Sequence, residues 1–371
     1  MKGSEQKMPK KRILIFPFDL MSHYLRCIKL AEIYSDHEIH FAYSEKYDVF
    51  VKKAGYSSFV VEKFDALEVM RQAAEFNFSW LNYKDLERVY LSQVKAINAL
   101  NPDFVISDTS PTLKMAAEKT NVNCISLMNA YMSKYYDGVR GVSRTHYSYE
   151  YLKKLPSSLA KIITRFAEKA AFTQVHKPFK QLRKKYGLSK KLFYLDELEG
   201  DENLVCDSEE LFSLKKPPFN YKVIGPLLYQ QTSEELDLMS SLPPNKINIC
   251  ICLGSSGNWT SLNFLSDEKY KKVNFIVAGD LKRELKGSHF FHRDFVNLDK
   301  ILPHCSLLIC HGGNGTIYEG LRHKKQMLFL TNHFEQEWNA ERLSQLGYGI
   351  CLNDNPEKII SEKLEEIFKT I

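Results

Sequence analysis

Between residues 307 and 322 the chain runs from an unbroken apolar stretch, Leu307-Leu308-Ile309-Cys310, through a polar glycine-rich turn, His311-Gly312-Gly313-Asn314-Gly315-Thr316. A helical pattern follows at once, with Ile317 and Leu321 four apart and Glu319 near its start. Strand, glycine turn and helix in this order leave the chain few options. The small residues let a ligand approach the backbone. The helix N-terminus offers unpaired N–H groups and a dipole worth roughly half a positive charge. Such a turn suits a phosphorylated or nucleotide ligand. Sixteen residues beyond Glu319 comes a second polar group, Glu335-Gln336-Glu337-Trp338-Asn339-Ala340.

Other apolar runs bounded by turn residues read as strands buried on both faces of parallel sheets. Ile13–Phe16, Glu38–Tyr43, Asp103–Ser107 and Asn123–Met128 form a first set, with a helix pattern at Tyr24–Tyr34 after the first of them. Ile247–Leu253, Val273–Ala278, Leu307–Cys310 and Met327–Leu330 form a second set. Helical stretches separate the strands, so the spacing predicts two doubly wound α/β domains. At 371 residues the chain is also too long for one core, since cores stop growing at about 250–300 residues. The break falls near Gly225–Pro244, a stretch rich in Pro, Gln, Thr and Ser. The expected organisation is a disordered basic tail over 1–11, a first domain over 12–228, a linker over 229–245, a second domain over 246–355 and a final helix over 356–371. Pro356 opens that helix, and Ile359, Ile360, Leu364, Ile367 and Phe368 share one face.

With 44% hydrophobic and 26% charged residues the chain reads as globular, and no segment reaches the ~20 apolar residues of a membrane span. The first eleven residues are basic and lack the apolar core of a secretion signal. Eight cysteines without metal-ligand spacing point to a reduced, cytoplasmic protein. The net charge of +6 gathers at Lys153-Lys154, Arg183-Lys184-Lys185, Lys190-Lys191 and Lys215-Lys216. These clusters read as solvated faces. The alternative is weak, peripheral association with an anionic membrane surface at its inner face. No nucleic-acid motif accompanies them.

The order His311-Gly312-Gly313-x-Gly315-Thr316, Glu319 eight residues after His311, the pair Glu335-Gln336 and Asn339-Ala340 resembles the nucleotide-sugar signature of family 1 glycosyltransferases, the UDP-glucosyl and UDP-glucuronosyltransferase superfamily. The bacterial macrolide-type branch is the most similar. Leu253-Gly254-Ser255-Ser256 is similar to the turn that opens the family's C-terminal domain, Val223-Ile224-Gly225-Pro226-Leu227 to its interdomain segment, and Leu182–Leu188 to its Leu-Arg-x-x-x-Gly-Leu. The resemblance spans most of residues 12–350, strongly after Leu253 and loosely through about 60–100 and 130–175. It implies the GT-B fold: two Rossmann-like domains facing across a cleft, the acceptor in the first and the donor in the second, with the final helix packing back toward the first. It also implies that His311, Gly313, Asn314, Gly315, Thr316 and Ser255 hold the diphosphate of a nucleotide sugar, expected to be a UDP-sugar. Glu319 would then take the ribose hydroxyls, Phe295 the base, and Glu335 and Gln336 the transferred sugar. No cofactor is implied beyond this co-substrate. No Asp-x-Asp or metal-spaced cluster occurs, which fits a leaving diphosphate balanced by a helix N-terminus instead of a metal ion. The acceptor class, a small molecule, lipid or saccharide, and the oligomeric state are not legible. Trp80, Tyr83, Tyr131, Tyr135 and Tyr136 are candidates for lining an acceptor pocket or for ordinary core.

The first strand ends in Pro17-Phe18-Asp19-Leu20-Met21-Ser22-His23, where the family reads Gly-His. By resemblance His23 is the general base and Asp108 the carboxylate behind it. The chemistry fits these residue types. An acceptor hydroxyl loses its proton as it attacks the anomeric carbon, and neutral imidazole accepts protons at cellular pH. A carboxylate on the far ring nitrogen holds the useful tautomer. One displacement of this kind inverts the sugar's configuration. Plainer roles stand beside these. His23 and Asp108 are also suited to helix capping, Thr316-x-x-Glu319 to a capping box, Phe295 to core packing, and Glu335 and Gln336 to a polar surface. Asp19 is a second candidate partner for His23. Ser22, Leu298, Lys324, Gln326, Thr331 and Glu335 depart from the family pattern, which leaves the donor's sugar and base open. The alternative functions are a nucleotide-sugar epimerase on the same architecture and a non-catalytic nucleotide-sugar-binding subunit.

Overall fold

The computed structural model describes residues 9–230, 236–254, 257–279, 285–352 and 354–369. The chain divides into two compact units. The first runs to Gln72 and takes in Asn77–Arg140 and Tyr151–Tyr229; the second takes in Ala73–Phe76, Gly141–Glu150 and the chain from Gln230 onward.

Seven strands make the sheet of the first unit: β1 (Arg12–Pro17), β2 (Glu38–Ala42), β3 (Ser57–Phe59), β4 (Phe104–Asp108), β5 (Asn123–Met128), β6 (Glu202–Val205) and β7 (Tyr221–Val223). Their order is β3-β2-β1-β4-β5-β6-β7, and every pair is parallel. The second unit repeats the plan with β8 (Ile247–Cys252), β9 (Val273–Ala278), β10 (Phe290–Arg293), β11 (Leu307–Cys310), β12 (Met327–Phe329) and β13 (Gly349–Cys351). The order is β10-β9-β8-β11-β12-β13, again all parallel. This is the doubly wound α/β architecture expected from the sequence. In each sheet the order reverses beside the first strand, between β1 and β4 and between β8 and β11.

The long apolar runs follow from burial on both faces. Ile13 and Ile15 of β1 enter one core cluster, while Leu14 and Phe16 enter another on the opposite face, as alternation along a strand requires. In the second unit Ile249, Ile251, Leu307 and Ile309 share a third cluster. Ile360 and Leu364 of the final helix, Pro356–Lys369, are buried in that same cluster, with Ile359, Ile367 and Phe368 packed against it.

Two local expectations shift. The first helix spans Met21–Ala31, starting earlier than Tyr24–Tyr34, and a tighter turn covers Glu32–Tyr34. Its N-cap is Leu20, which makes no side-chain capping bond, so no Ser, Thr, Asp or Asn signal marked the start. The short strands β3, β6, β7, β10 and β13, at or next to the sheet edges, had no apolar run to betray them; Glu202, Lys222 and Arg293 on them are exposed.

The basic run Arg183-Lys184-Lys185 is only partly a solvated face. Arg183 is 3% exposed. Its Nε and Nη2 donate to Glu197 at 2.8 and 2.6 Å, and its Nη1 to Glu118 at 2.8 Å. His176 Nε2 lies 2.7 Å from the same fully buried Glu197. The network ties the helices Leu113–Thr120, Lys177–Tyr186 and Tyr194–Leu198 together. Removing one partner strands the others' charge in the interior. Glu197→Ala is therefore expected to cost about 3–5 kcal/mol, seen as a lower urea midpoint of the full chain.

Candidate functional site

Asp108 ends β4 beside Pro17 of β1, at the reversal point of the first sheet, and is fully buried. Its carboxylate accepts from His23 Nδ1 at 3.0 Å, from Arg26 Nε at 2.6 Å, and from Arg26 Nη2. Thr109 Oγ1 at 3.2 Å and Cys27 Sγ at 3.4 Å complete the set. His23 and Arg26 stand one turn apart on the helix Met21–Ala31, so both side chains reach one strand end. Arg26 Nη1 continues to Asn129 Oδ1, just past β5, at 2.8 Å. Burial alone raises the pKa of Asp108; the charge of Arg26, and then His23, more than reverses this and holds it well below the usual carboxylate range. It is ionised.

Arg26 Nη2 also lies 3.0 Å from His23 Nδ1. One ring nitrogen cannot donate to Asp108 and accept from Arg26 at once. Donation to the carboxylate is the stronger, charge-assisted bond, and it leaves Nε2 as the nitrogen that takes up a proton. The structure thus brings His23 and Asp108 into direct contact, with Nδ1 of the ring turned to the carboxylate. Arg26 was missed in the sequence, where its one signal is a cation one helical turn after His23.

Asp19, the other candidate partner, accepts from Lys63 Nζ at 3.1 Å. Beside it opens a hollow lined in part by Phe18, Lys63, Phe64, Gln93 and Ser110. The Phe18 ring lies 5.8 Å from that of His23 and 6.1 Å from Trp80, which packs in turn on Phe64 at 5.2 Å. Trp80 therefore joins an apolar wall next to His23. Tyr131 is core against Phe212, Tyr83 donates to Glu87, Tyr135 packs on Tyr221, and Tyr136 lies under Arg140.

In the second unit β11 ends at Cys310 and the helix Asn314–Arg322 begins after its N-cap, Gly313. The His311 ring sits between two glycines. A Cβ on Gly254 would lie 3.0 Å from its Cε1, and one on Gly313 2.3 Å from its Nε2. Any side chain at either position displaces the ring. Asn339 Nδ2 donates to the Gly312 carbonyl at 2.9 Å, which locks the turn to the helix Phe334–Gln345. His311 Nδ1 lies 3.2 Å from the Cys252 carbonyl and donates to it. Protein packed around the ring holds its pKa below the ordinary value, so the ligand-free imidazole is neutral and its Nε2, over the helix N-terminus, carries the lone pair.

Three deeply buried polar atoms around this turn, Glu319 Oε2, His333 Nδ1 and Asn339 Oδ1, meet no hydrogen-bond partner among the described residues. Burial, helped by His311, pushes His333 down to about 3. Burial likewise raises Glu319 above the ordinary carboxylate value. Glu319 Oε2 does face His323 Nε2 at 3.9 Å; unmatched buried polar atoms call for an explanation, and a polar ligand would supply one. Glu319 does not cap its helix: the N-cap is Gly313, without a side-chain bond.

The remaining candidates are less concentrated. Phe295 is half-buried in the turn between β10 and the short helix Leu298–Ile301. Glu335 and Gln336 lie in the first turn of the helix Phe334–Gln345. Gln336 is buried, and its Oε1 accepts from the Asn332 N–H at 2.8 Å, so that oxygen shapes the loop. Thr316 is half-buried and Gly315 exposed. Ser255 lies outside the described residues. Sequence spacing also hid a trio, Asp299, Glu319 and His323, whose ligand-type atoms lie within 4.8 Å of one another. Asp299 is already held by Arg322 at 3.2 Å and His323 at 2.9 Å, so the trio is built as an ion-pair network.

Residues 249–371 match the model of the glycosyltransferase family 28 C-terminal domain. The chain is 24% identical over 356 residues to a PGL/p-HBAD biosynthesis glycosyltransferase of Mycobacterium tuberculosis, covering 90% of this chain and 78% of that protein. It is 21% identical over 351 residues to a PGL/p-HBAD biosynthesis rhamnosyltransferase of Mycobacterium bovis, covering 93% and 76%. Among solved structures, the spinosyn rhamnosyltransferase SpnG superposes with a TM-score of 0.65 at 16% identity, over 93% of this chain and 87% of that one. A second structure of SpnG is complexed with thymidine diphosphate. The structural likeness shows the fold, GT-B type with two parallel-sheet α/β domains.

The geometry at His311 carries a pH dependence. With Nδ1 committed to Cys252, Nε2 donates to a diphosphate only when protonated, and the anion raises the pKa that the free protein holds down. Binding of a diphosphate there would therefore take up a proton. Above the free-state pKa, affinity for a nucleotide sugar is expected to weaken with rising pH by up to about tenfold per unit. Titration calorimetry in buffers of different ionisation enthalpy reads the proton directly. Proton-free binding, or the same slope in His311→Gln, refutes the assignment.

Proposed function

We propose that this glycosyltransferase of the GT-B fold moves a sugar from a nucleoside-diphosphate donor to an acceptor hydroxyl in a single inverting displacement. The reading rests above all on the 3.0 Å contact between His23 Nδ1 and the buried Asp108 carboxylate, which directs Nε2 to act as the base. In the step, the acceptor oxygen bonds to the anomeric carbon as its proton passes to His23 Nε2. The bond from that carbon to the diphosphate oxygen breaks, and the nucleoside diphosphate leaves with the electron pair. Asp108 steadies the imidazolium.

In the second unit, the N–H groups of Asn314, Gly315 and Thr316 at the helix N-terminus, with protonated His311, meet the charge of the leaving diphosphate. Glu319 binds the ribose, Phe295 the base, and Glu335 with Gln336 the sugar. The base we assign is a pyrimidine: uracil is the expectation from the sequence signature, and SpnG has been solved with thymidine diphosphate. No step is assigned to a metal ion. The apolar wall of Phe18, Trp80 and Phe64 beside His23 favours a hydroxyl carried on an aromatic or lipid body, and the relatives named above serve PGL/p-HBAD biosynthesis.

A thermal-shift panel of uridine and thymidine diphosphates and their sugars, without added metal, is expected to name the donor; ligand at a hundredfold excess over Kd adds about 2.7 kcal/mol of stability. With the donor in hand, His23→Ala should lower donor turnover, read as slow hydrolysis or transfer, by on the order of 10²–10⁴. Asp108→Asn should do likewise by offering His23 the wrong tautomer. Both variants should keep the nucleotide shift, because the donor residues lie in the other unit. Turnover unchanged in His23→Ala would sink the base assignment. Nucleotide binding without any turnover would make the chain a binding subunit, and interconversion of the donor sugar alone would make it an epimerase.

A further inference from the structure

One helix of the first unit wears its amphipathic pattern inside out. Ser157–Val175 runs for 19 residues, and Thr164 is its only buried residue. On a turn of 3.6 residues, Leu159, Ile162, Ile163 and Phe166 fall in one stripe. Thr164 and Glu168 lie on the far side, the side that meets the protein: Arg140 donates to Glu168 there, and Phe172 and Val175 pack on the core further along. The apolar stripe is left in solvent, with Phe166 73%, Ile162 54%, Leu159 44% and Ile163 39% exposed. A surface helix of a soluble domain turns such a stripe inward. A contiguous apolar patch on the outside marks an interaction surface.

The charges beside the stripe say what kind of surface it meets. Arg165 and Lys169, both exposed, follow one another at four-residue spacing beside the stripe, and the exposed Lys161, one turn earlier, lies further round toward Glu168. Like charges in that spacing repel. Lys153 and Lys154, also exposed, add to them just before the helix. The only acidic residue of the helix, Glu168, is already paired with Arg140. A second copy of the chain would bring this basic flank against itself. Apolar side chains bordered by cations match an anionic lipid surface, where the stripe enters the acyl boundary and the cations meet the headgroups. No helix among the described residues is long and apolar enough to cross a membrane.

We propose that the helix Ser157–Val175 docks the protein on an anionic lipid bilayer through Leu159, Ile162, Ile163 and Phe166, with Arg165 and Lys169 at the headgroups. The inference does not depend on the transfer chemistry, and its test reads binding alone. The purified full chain is sedimented with sucrose-loaded vesicles of phosphatidylcholine, and of phosphatidylcholine mixed equally with phosphatidylglycerol. It is expected to partition onto the mixed vesicles, to stay in solution with phosphatidylcholine alone, and to come off as salt is raised. Phe166→Glu and Ile162→Glu should each cut partition by at least about tenfold, the worth of one buried apolar side chain. Because both positions are exposed, the melting temperature should not move. Failure to partition onto either vesicle, or equal partition of Phe166→Glu, overturns the proposal. So does a dimer in analytical ultracentrifugation that Phe166→Glu dissolves, which would assign the stripe to a second copy.

Discussion

In a parallel sheet, two neighbouring strands whose crossovers leave in opposite directions expose their C-terminal ends between them. That constraint governs both halves of this protein. In the first sheet it falls between β1 and β4, and in the second between β8 and β11. Pro17 pairs with Asp108 at one reversal and Cys252 with Cys310 at the other. The residues that follow these strand ends, His23 in one unit and Gly254 with His311 in the other, are therefore brought together by topology before any side chain acts. The rest of each strand is spent on burial, which is why these runs are apolar on both faces.

At the first reversal the structure accepts a buried charge. A carboxylate taken out of water costs several kcal/mol unless well paired, and Asp108 is fully buried. Arg26 grips it with two donors and reaches on to Asn129. The same guanidinium crowds His23 Nδ1. Asp108 is thereby held ionised in one orientation, and its remaining freedom is to receive the imidazole N–H. At the second reversal the arrangement is different. His311 is held by glycines on either side and one carbonyl, with no carboxylate among the described residues, so burial is left to hold its pKa down.

The two basic features of the first unit show how poorly composition predicts placement. Arg183 sits in a run of three cations, yet it is buried against Glu197 and Glu118 and ties three helices together. Arg165 and Lys169 are spread thinly in sequence, yet they align on one exposed flank. Burial of a cation depends on whether a carboxylate from another segment meets it, and Glu197 stands 14 residues away from Arg183.

Much of this was legible in the chain. The apolar runs of β1, β2, β4, β5, β8, β9, β11 and β12 and the glycine turn after β11 are local signals, set by residues that neighbour one another. So was the choice of Asp108 as the carboxylate to look for beside His23, though their contact spans 85 residues. The short strands at or next to the sheet edges were not legible, because three or four residues with polar members carry no periodicity. Nor was the start of the first helix, where Leu20 gives no capping signal. Two parallel-sheet units and a glycine turn opening onto a helix could be read from the chain alone, since strand burial and close backbone approach dictate residue type one position at a time. Only the tertiary structure decided that Arg26 balances Asp108, that Nδ1 of His311 is committed to Cys252, and that the apolar stripe of Ser157–Val175 faces outward. Each of these depends on which distant segment arrives to share a charge, accept a proton or cover a surface.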